Sequence, residues 1–274
     1  MLIRSILATE LRLLEAICTF EEHSGYVVYR SDLFRNFYGG NGIEISDPAG
    51  RSLADWEAVS RRHFDPALFH HTTFTFADRP EMEEITRAAE ASDYHVERSV
   101  FMYLDRTDNC RLLPEDLVVC PVRTEEDWQE MAAYEQREYV GADWNDPSYT
   151  GPDRLFEKKR FTSEAVGIEW FLLRRRGERQ ILSKLGIFVH NGVARLQEVS
   201  TAPDQRRKGY AGILVSFAVK EGLRRLGARG VALSADSDYH AVTLYEKLGF
   251  APAGTGITLM RYPRFGNTGE GSEE

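Results

Sequence analysis

Lysine is absent from the first 120 residues of this 274-residue chain, although that stretch carries 12 arginines and 21 acidic residues. The whole formal charge of -9 therefore lies in the first half, and the remainder is neutral. Such a balance lacks the basic face that general nucleic-acid binding draws on, so no nucleic-acid partner is expected. An acidic neighbour of this kind keeps a chain soluble or attracts cationic amines. Cysteine is scarce as well. Cys18, Cys110 and Cys120 stand apart without metal-ligand spacing, and an odd, unpatterned set suits a reducing cytoplasm. His63, His70 and His71 lie near one another, but no acidic or cysteine partner completes a ligand set, so no metal is expected. No apolar run approaches the roughly 20 residues of a membrane helix. The apolar start, Met1 to Leu7, is interrupted by Glu10 and Arg12 and has no small-residue cleavage site. A cytoplasmic location without membrane contact is expected. Ser183, Ser200 and Ser234 sit in no nucleophile-elbow context.

What remains is a mixed α/β pattern with ample core, 42% hydrophobic in composition. Its length suits one large domain or two small ones. The polar, turn-like run Asp105 to Arg111, followed by Pro114, marks a boundary near residues 106–116. The expected division is an α/β half over 1–110, a second half over 111–265 and a disordered polar tail over 266–274. The first half reads as helices at about 5–18, 52–63 and 80–91, with strands at about 25–30, 42–46, 71–77 and 94–104. The second reads strand 117–122, helices 124–139 and 153–165, strands 168–175, 180–190 and 193–201, helix 209–227, strand 230–235, helix 239–248 and closing strands at about 250–254 and 256–262. Asn191-Gly192 between two apolar runs is a strong hairpin signal.

The informative stretch is Pro203-Asp204-Gln205-Arg206-Arg207-Lys208-Gly209-Tyr210-Ala211. A strand precedes it, and a helix follows with Val215, Val219, Gly222, Leu223 and Leu226 on one core-facing stripe. The first N–H groups of a helix lack internal partners and carry the positive end of its dipole, so this turn is a candidate phosphate site. Two arginines and a lysine add charge, and Gly209 allows close backbone approach. The alternative reading is a basic helix start with a solvated face. Downstream, Ala241, Leu244, Tyr245 and Leu248 share one helical face, so the Tyr245 ring points inward. Gln197 and Glu198 stand in what reads as a central strand, where a polar side chain costs several kcal/mol unless partnered. In a regular strand they point to opposite faces.

Together, Arg206-x-x-Gly209-x-Ala211 and Ala241-x-x-Leu244-Tyr245-x-x-x-Gly249-Phe250 resemble the GNAT superfamily of acyl-CoA N-acyltransferases. The resemblance covers Glu169 to Tyr262 and extends plausibly back to Leu117. It resembles in particular two-part members that read Gln197-x-Val199-x-Thr201 before the loop. It implies a central mixed sheet flanked by helices, in the order β-α-α-β-β-β-α-β-α-β-β, with the first half a degenerate copy. The implied cofactor is acetyl-CoA. Gln205, Arg206, Arg207, Lys208, Gly209, Tyr210 and Ala211 would hold its pyrophosphate. The backbone at Val199 and Thr201, with Asp238, would hold the pantetheine arm. Asp238 departs from the usual Asn, which puts that contact in doubt. Tyr245 is implied as general acid to the leaving thiolate and Glu198 as the base, with a structural ion pair or direct loss of the proton to water as alternatives at Glu198. Gln197, Asp236 and Trp144 are candidates for the acceptor side, along with Tyr139 and Tyr149. No cysteine is placed to form an acyl-enzyme, so direct transfer in a ternary complex is expected. The acceptor stays open among a small amine, an antibiotic-like amine, an amino acid and a protein or peptide amine. A module that binds acyl-CoA without turnover is the other reading. No second cofactor site is expected in the first half. Monomer and homodimer are both left open.

Overall fold

A computed structural model describes residues 2–139, 152–237 and 241–262. Trp144, Tyr149, Asp238 and the tail 266–274 lie outside the described residues, as does the side chain of Tyr139. The chain begins with helix α1 (Leu2–Glu15), the hairpin β1 (Thr19–His23) and β2 (Tyr26–Arg30), and β3 (Gly42–Ile45). Next come α2 (Leu53–His63), β4 (Thr72–Ala77), α3 (Glu83–Glu90) and β5 (His95–Leu104). The second half runs β6 (Leu117–Pro121), α4 (Glu125–Tyr139), α5 (Pro152–Val166), β7 (Glu169–Arg175), β8 (Ile181–His190) and β9 (Val193–Thr201). It closes with α6 (Tyr210–Lys220), a π-helical turn at Glu221–Arg225, β10 (Gly230–Asp236), α7 (Ala241–Lys247) and β11 (Ala251–Arg261).

Local chemistry accounts for many of these boundaries. Ser52 and Asp55 form a reciprocal capping box at the start of α2. Asn191 and Gly192 both have positive φ, 50° and 76°, which is what a tight hairpin between β8 and β9 requires. The stripe on α6 buries Leu214, Val215, Ala218 and Val219. Along β7, Phe171 and Leu173 face that helix, whereas Trp170 and Leu172 face Met131 and Tyr134 of α4. Period-two alternation thus serves two cores, one on each side of the sheet. Helices α6 and α7 cover one face, and α1, α4 and α5 cover the other.

All eleven described strands form one sheet in the order β1-β2-β3-β4-β11-β5-β10-β9-β8-β7-β6. The sequence expectation of two closing strands gives way to the single β11, which absorbs its irregularity as a register shift between Pro252 and Gly254. That strand inserts between β4 and β5 of the first half, and β5 in turn pairs with β10. The halves therefore interleave. Among the described residues, no helix is long and apolar enough to cross a membrane.

This interleaving predicts the behaviour of a fragment starting at Leu112. Without β4 and β5, strands β10 and β11 lose the partner between them, and Ile257 and Leu259, both under 5% exposed, face water. Open edges and bare apolar surface favour aggregation. The fragment is expected to lack a cooperative melt and to be recovered mostly as aggregate. A soluble fragment with a cooperative transition near that of the full chain would contradict this.

Candidate active site

The site begins with an irregularity in β9. Lys184 of β8 pairs with Ser200, but Gly186 pairs with Gln197, so Glu198 and Val199 together oppose Leu185. This is a β-bulge, and Glu198 takes a left-handed backbone with φ 45° to form it. The bulge breaks the parity of the strand. Gln197 and Glu198 line the same cavity, in contrast to the opposite faces expected of a regular strand. On its other side, β9 pairs with β10 only from Val193 to Arg195, opposite Gly230 to Ala232. Both strands continue, β9 to Thr201 and β10 to Asp236, so they part beyond that point. The edge of β9 at Val199 and Thr201 then borders a gap open toward the loop before α6.

That loop is shaped by two left-handed residues, Arg207 (φ 63°) and Gly209 (φ 86°), with Gly209 in the N-cap position of α6. Arg206 Nε donates to the Thr201 carbonyl at 3.3 Å, and Lys208 Nζ to the Asp204 carbonyl at 3.1 Å and Gln205 Oε1 at 2.9 Å. These bonds hold the turn against the end of β9. Arg206, Arg207 and Lys208 are exposed, whereas Tyr210 is buried and its hydroxyl accepts from Arg175 Nη2 at 2.8 Å. Sequence reasoning missed one participant. Arg111, in the connection between β5 and β6, donates from its backbone N–H to Ser216 Oγ at 2.9 Å and from Nη1 to the Gly209 carbonyl at 3.5 Å. A Cβ added at Gly209 would lie 2.9 Å from that Nη1. A third guanidinium thus reaches the helix start from 98 residues away, a contact no local pattern signals.

Tyr245 in α7 is 6% exposed, with its ring edge-on to Phe250 at 5.8 Å. Arg195 of β9 is buried on the sheet's other side and paired with Glu10 of α1. Burial lowers the pKa of Arg195, while the charges of Glu10 and Tyr245 oppose that shift. Tyr245 therefore lies within electrostatic reach of a cation. Asp236 ends β10, near the partly buried Glu97, whose carboxyl is pushed up by burial and by Asp236.

On the face opposite α6 and α7 lies a cavity of about 800 Å³. It runs beneath α1 from Glu44 and Thr75 in the first half to Gln197 and Glu198 in the second. At the Glu198 end, two carboxylates and two ammonium groups form a closed cluster. Lys184 Nζ lies 2.6 Å from Glu135 Oε1 and 3.2 Å from Glu198 Oε2, and Lys159 pairs with both carboxylates. Both lysines also lie over the Trp170 ring, at 5.0 and 5.2 Å from its centroid. Side chains of Glu135, Lys159 and Lys184 are at most 5% exposed, whereas Glu198 is 42% exposed, toward the cavity. Burial alone would raise the Glu198 pKa. The adjacent Lys159 and Lys184 outweigh it and hold the carboxyl well below the usual carboxylate range.

His63 takes a different place from His70 and His71. Its Nε2 hydrogen-bonds the Tyr26 hydroxyl at 3.3 Å, and Glu21 and His23 of β1 gather on its other side, at the sheet edge away from the cavity. His71 Nε2 bonds the Asn41 carbonyl at 3.2 Å, and burial lowers its pKa to about 4.

Comparison with known proteins places this geometry. Residues 177–256, which include the bulge, the parted strands and the loop before α6, match the family of FR47-like proteins. Among solved structures, a GCN5-related N-acetyltransferase from Kribbella flavida superposes with a TM-score of 0.62 at 17% identity, over 93% of this chain and 94% of that one. The fold is that of the GCN5-related N-acetyltransferases. The likeness to the GNAT fold extends through the first half. A tandem GNAT protein from the clavulanic acid biosynthesis pathway matches over 86% of this chain and 82% of its own, with a TM-score of 0.56 and 14% identity. A conserved protein of unknown function from Staphylococcus epidermidis matches with a TM-score of 0.70 at 14% identity, over 88% and 92%. No curated protein matches the chain.

Proposed function

We propose that this protein transfers an acyl group, acetyl in the first instance, from acyl-CoA to a primary amine by direct attack in a ternary complex. The observation that carries the reading is the parting of β9 and β10 beside the Glu198 bulge. The gap lies between a phosphate-type helix start and a partly open cavity lined by Gln197, Glu198 and Ser234. In this reading the amides of the loop, with Arg206, Arg207, Lys208 and Arg111, hold the pyrophosphate. The pantetheine arm then takes its hydrogen bonds from the freed edge of β9 at Val199 and Thr201. Its thioester arrives at the bulge, and the amine approaches from the cavity. Residues 1–110 complete the sheet and wall the acceptor, while residues 111–265 carry the cofactor.

The roles divide by charge. Tyr245 donates its phenolic proton to the departing thiolate. Glu198, the sequence candidate for the base, is already ionised and ion-paired. A carboxylate held this low takes up a proton poorly, so its part is to orient the incoming amine, whose proton is lost directly to water. The pH profile tests this. Activity is expected to rise with pH as the amine deprotonates, and Glu198→Gln is expected to lower the plateau without moving the midpoint. A midpoint that shifts, with the loss shrinking at high pH, would assign the proton to Glu198.

The primary experiment is a melting curve in coenzyme A. Ligand at 100 times its dissociation constant stabilises by roughly 2.7 kcal/mol. A clear rise in Tm, followed by steady thiol release from acetyl-CoA in an amine screen, supports the reading. Binding without thiol release with any amine would leave a sensing module, and an unchanged Tm at millimolar coenzyme A would refute both.

A further inference from the structure

The cavity holds polar groups that the proposed chemistry does not use. Lys158 of α5 lines it with its Nζ 3.6 Å from the Phe37 ring centroid, and no carboxylate lies within ion-pair reach among the described residues. Thr162, one helical turn further along the same face, also lines the cavity, and its Oγ1 is buried without a hydrogen-bond partner among the described residues. Gln197, on the wall next to Glu198, has a buried Nε2 in the same condition. Burial lowers the Lys158 pKa to about 8 against the pull of Glu198, which places it within electrostatic reach of the reacting end. Three donors, one of them cationic, thus line the cavity with nothing to donate to among the described residues. A buried donor left unpaired is destabilising, and an unpaired charge more so. Such a set fits a guest carboxylate.

In the first half, Glu44 of β3 lines the cavity close enough to Tyr29 for its charge to act on the phenol. It is exposed at its surface and has no ion-pair partner among the described residues, and the partial burial of its carboxyl raises its pKa. The remaining acidic groups of the lining are already matched, Glu10 by Arg195 and Glu198 by Lys159 and Lys184. The cavity lining therefore includes two cations without an ion-pair partner among the described residues, Lys158 and the exposed Arg4, two unpaired donors, Thr162 and Gln197, and one unpaired carboxylate, Glu44, among mainly apolar residues such as Leu14, Phe76 and Ile257.

We propose that the acceptor is a basic amino acid, its carboxylate held by Lys158, Thr162 and Gln197 and its side-chain cation by Glu44. This rests on the acyltransferase reading and names the substrate class of that site. The α-amine then lies next to Glu198, facing the thioester, and is the group acylated. Its nitrogen lone pair forms the new N–C bond and the C–S bond breaks; one N–H proton is lost to water, and the thiolate leaves as the thiol with a proton from Tyr245, which water then restores.

The test is calorimetric titration of the full chain, with and without coenzyme A, using L-lysine, L-norleucine and cadaverine. Norleucine lacks the side-chain cation, and cadaverine lacks the carboxylate. Lysine is expected to bind about 10- to 100-fold more tightly than either, the range for a lost charge-assisted contact. Lys158→Met should reduce lysine to the level of cadaverine, and Glu44→Gln to that of norleucine, with Thr162→Val a milder version of the first. Lys158→Arg, which keeps the charge, should retain part of the preference, and melting curves without ligand show that each variant is folded. Cadaverine binding as tightly as lysine would overturn the carboxylate seat, and norleucine doing so would overturn the role of Glu44. Coenzyme A binding with no response to any of the three removes the assignment and leaves the acyl-CoA reading standing. Graded lysine binding without coenzyme A binding keeps the pocket assignment and overturns the reading beneath it.

Discussion

Tyr245→Phe is expected to lower turnover by about 10²-fold or more while leaving coenzyme A affinity nearly unchanged. The substitution removes one oxygen from a ring that is 6% exposed and packed edge-on against Phe250, so the apolar contacts of α7 survive. What disappears is the phenol that the proposed mechanism assigns to protonating the departing thiolate. The measurement is kcat from thiol release, alongside calorimetric affinity for coenzyme A and a melting curve. A fall in kcat at constant affinity and Tm assigns the proton to Tyr245. Full turnover in the variant would show that the residue only packs.

Gly209→Glu is expected to abolish the thermal shift produced by coenzyme A. Gly209 has φ 86° at the N-cap of α6, a conformation side chains adopt at a cost, and a Cβ there would come within 2.9 Å of Arg111 Nη1. A glutamate would add both bulk and a negative charge where the loop amides and guanidinium groups are read as receiving a pyrophosphate. Its carboxylate would also compete for Arg111, Arg206 and Arg207. Gly209→Ala separates the two effects. It carries the backbone strain without the charge, and a reduced but measurable shift is expected from it. A native-sized shift in the glutamate variant would place the phosphates elsewhere.

The lysines show how far tertiary context outweighs composition. The chain has six, none before Lys158, and three of them, Lys158, Lys159 and Lys184, line or border the cavity beneath α1. In the sequence their scarcity reads only as an acidic first half. The partners of Glu198 could not be read at all, because Glu135, Lys159 and Lys184 come from α4, α5 and β8 and meet only when the two helices pack on one face of the sheet. The shared side of Gln197 and Glu198 was equally hidden. Strand parity predicts opposite faces, and only the bulge opposite Leu185 brings them together.

Motifs whose physics is local were legible in advance. The glycine at the helix start, the Asn-Gly hairpin, the apolar stripe of α6 and the inward Tyr245 each follow from turn dihedrals or from i to i+4 spacing, and together they determined the fold of the second half. Composition likewise determined the acidic first half. Three features were decided only by the folded chain. Strand β11 inserts between β4 and β5, Arg111 reaches the loop at Gly209, and Glu44 joins Lys158 and Gln197 around one cavity. Each depends on contacts between segments tens to hundreds of residues apart. Such contacts are chosen by how apolar faces and buried charges are satisfied across the whole sheet, and no short stretch of sequence carries that information.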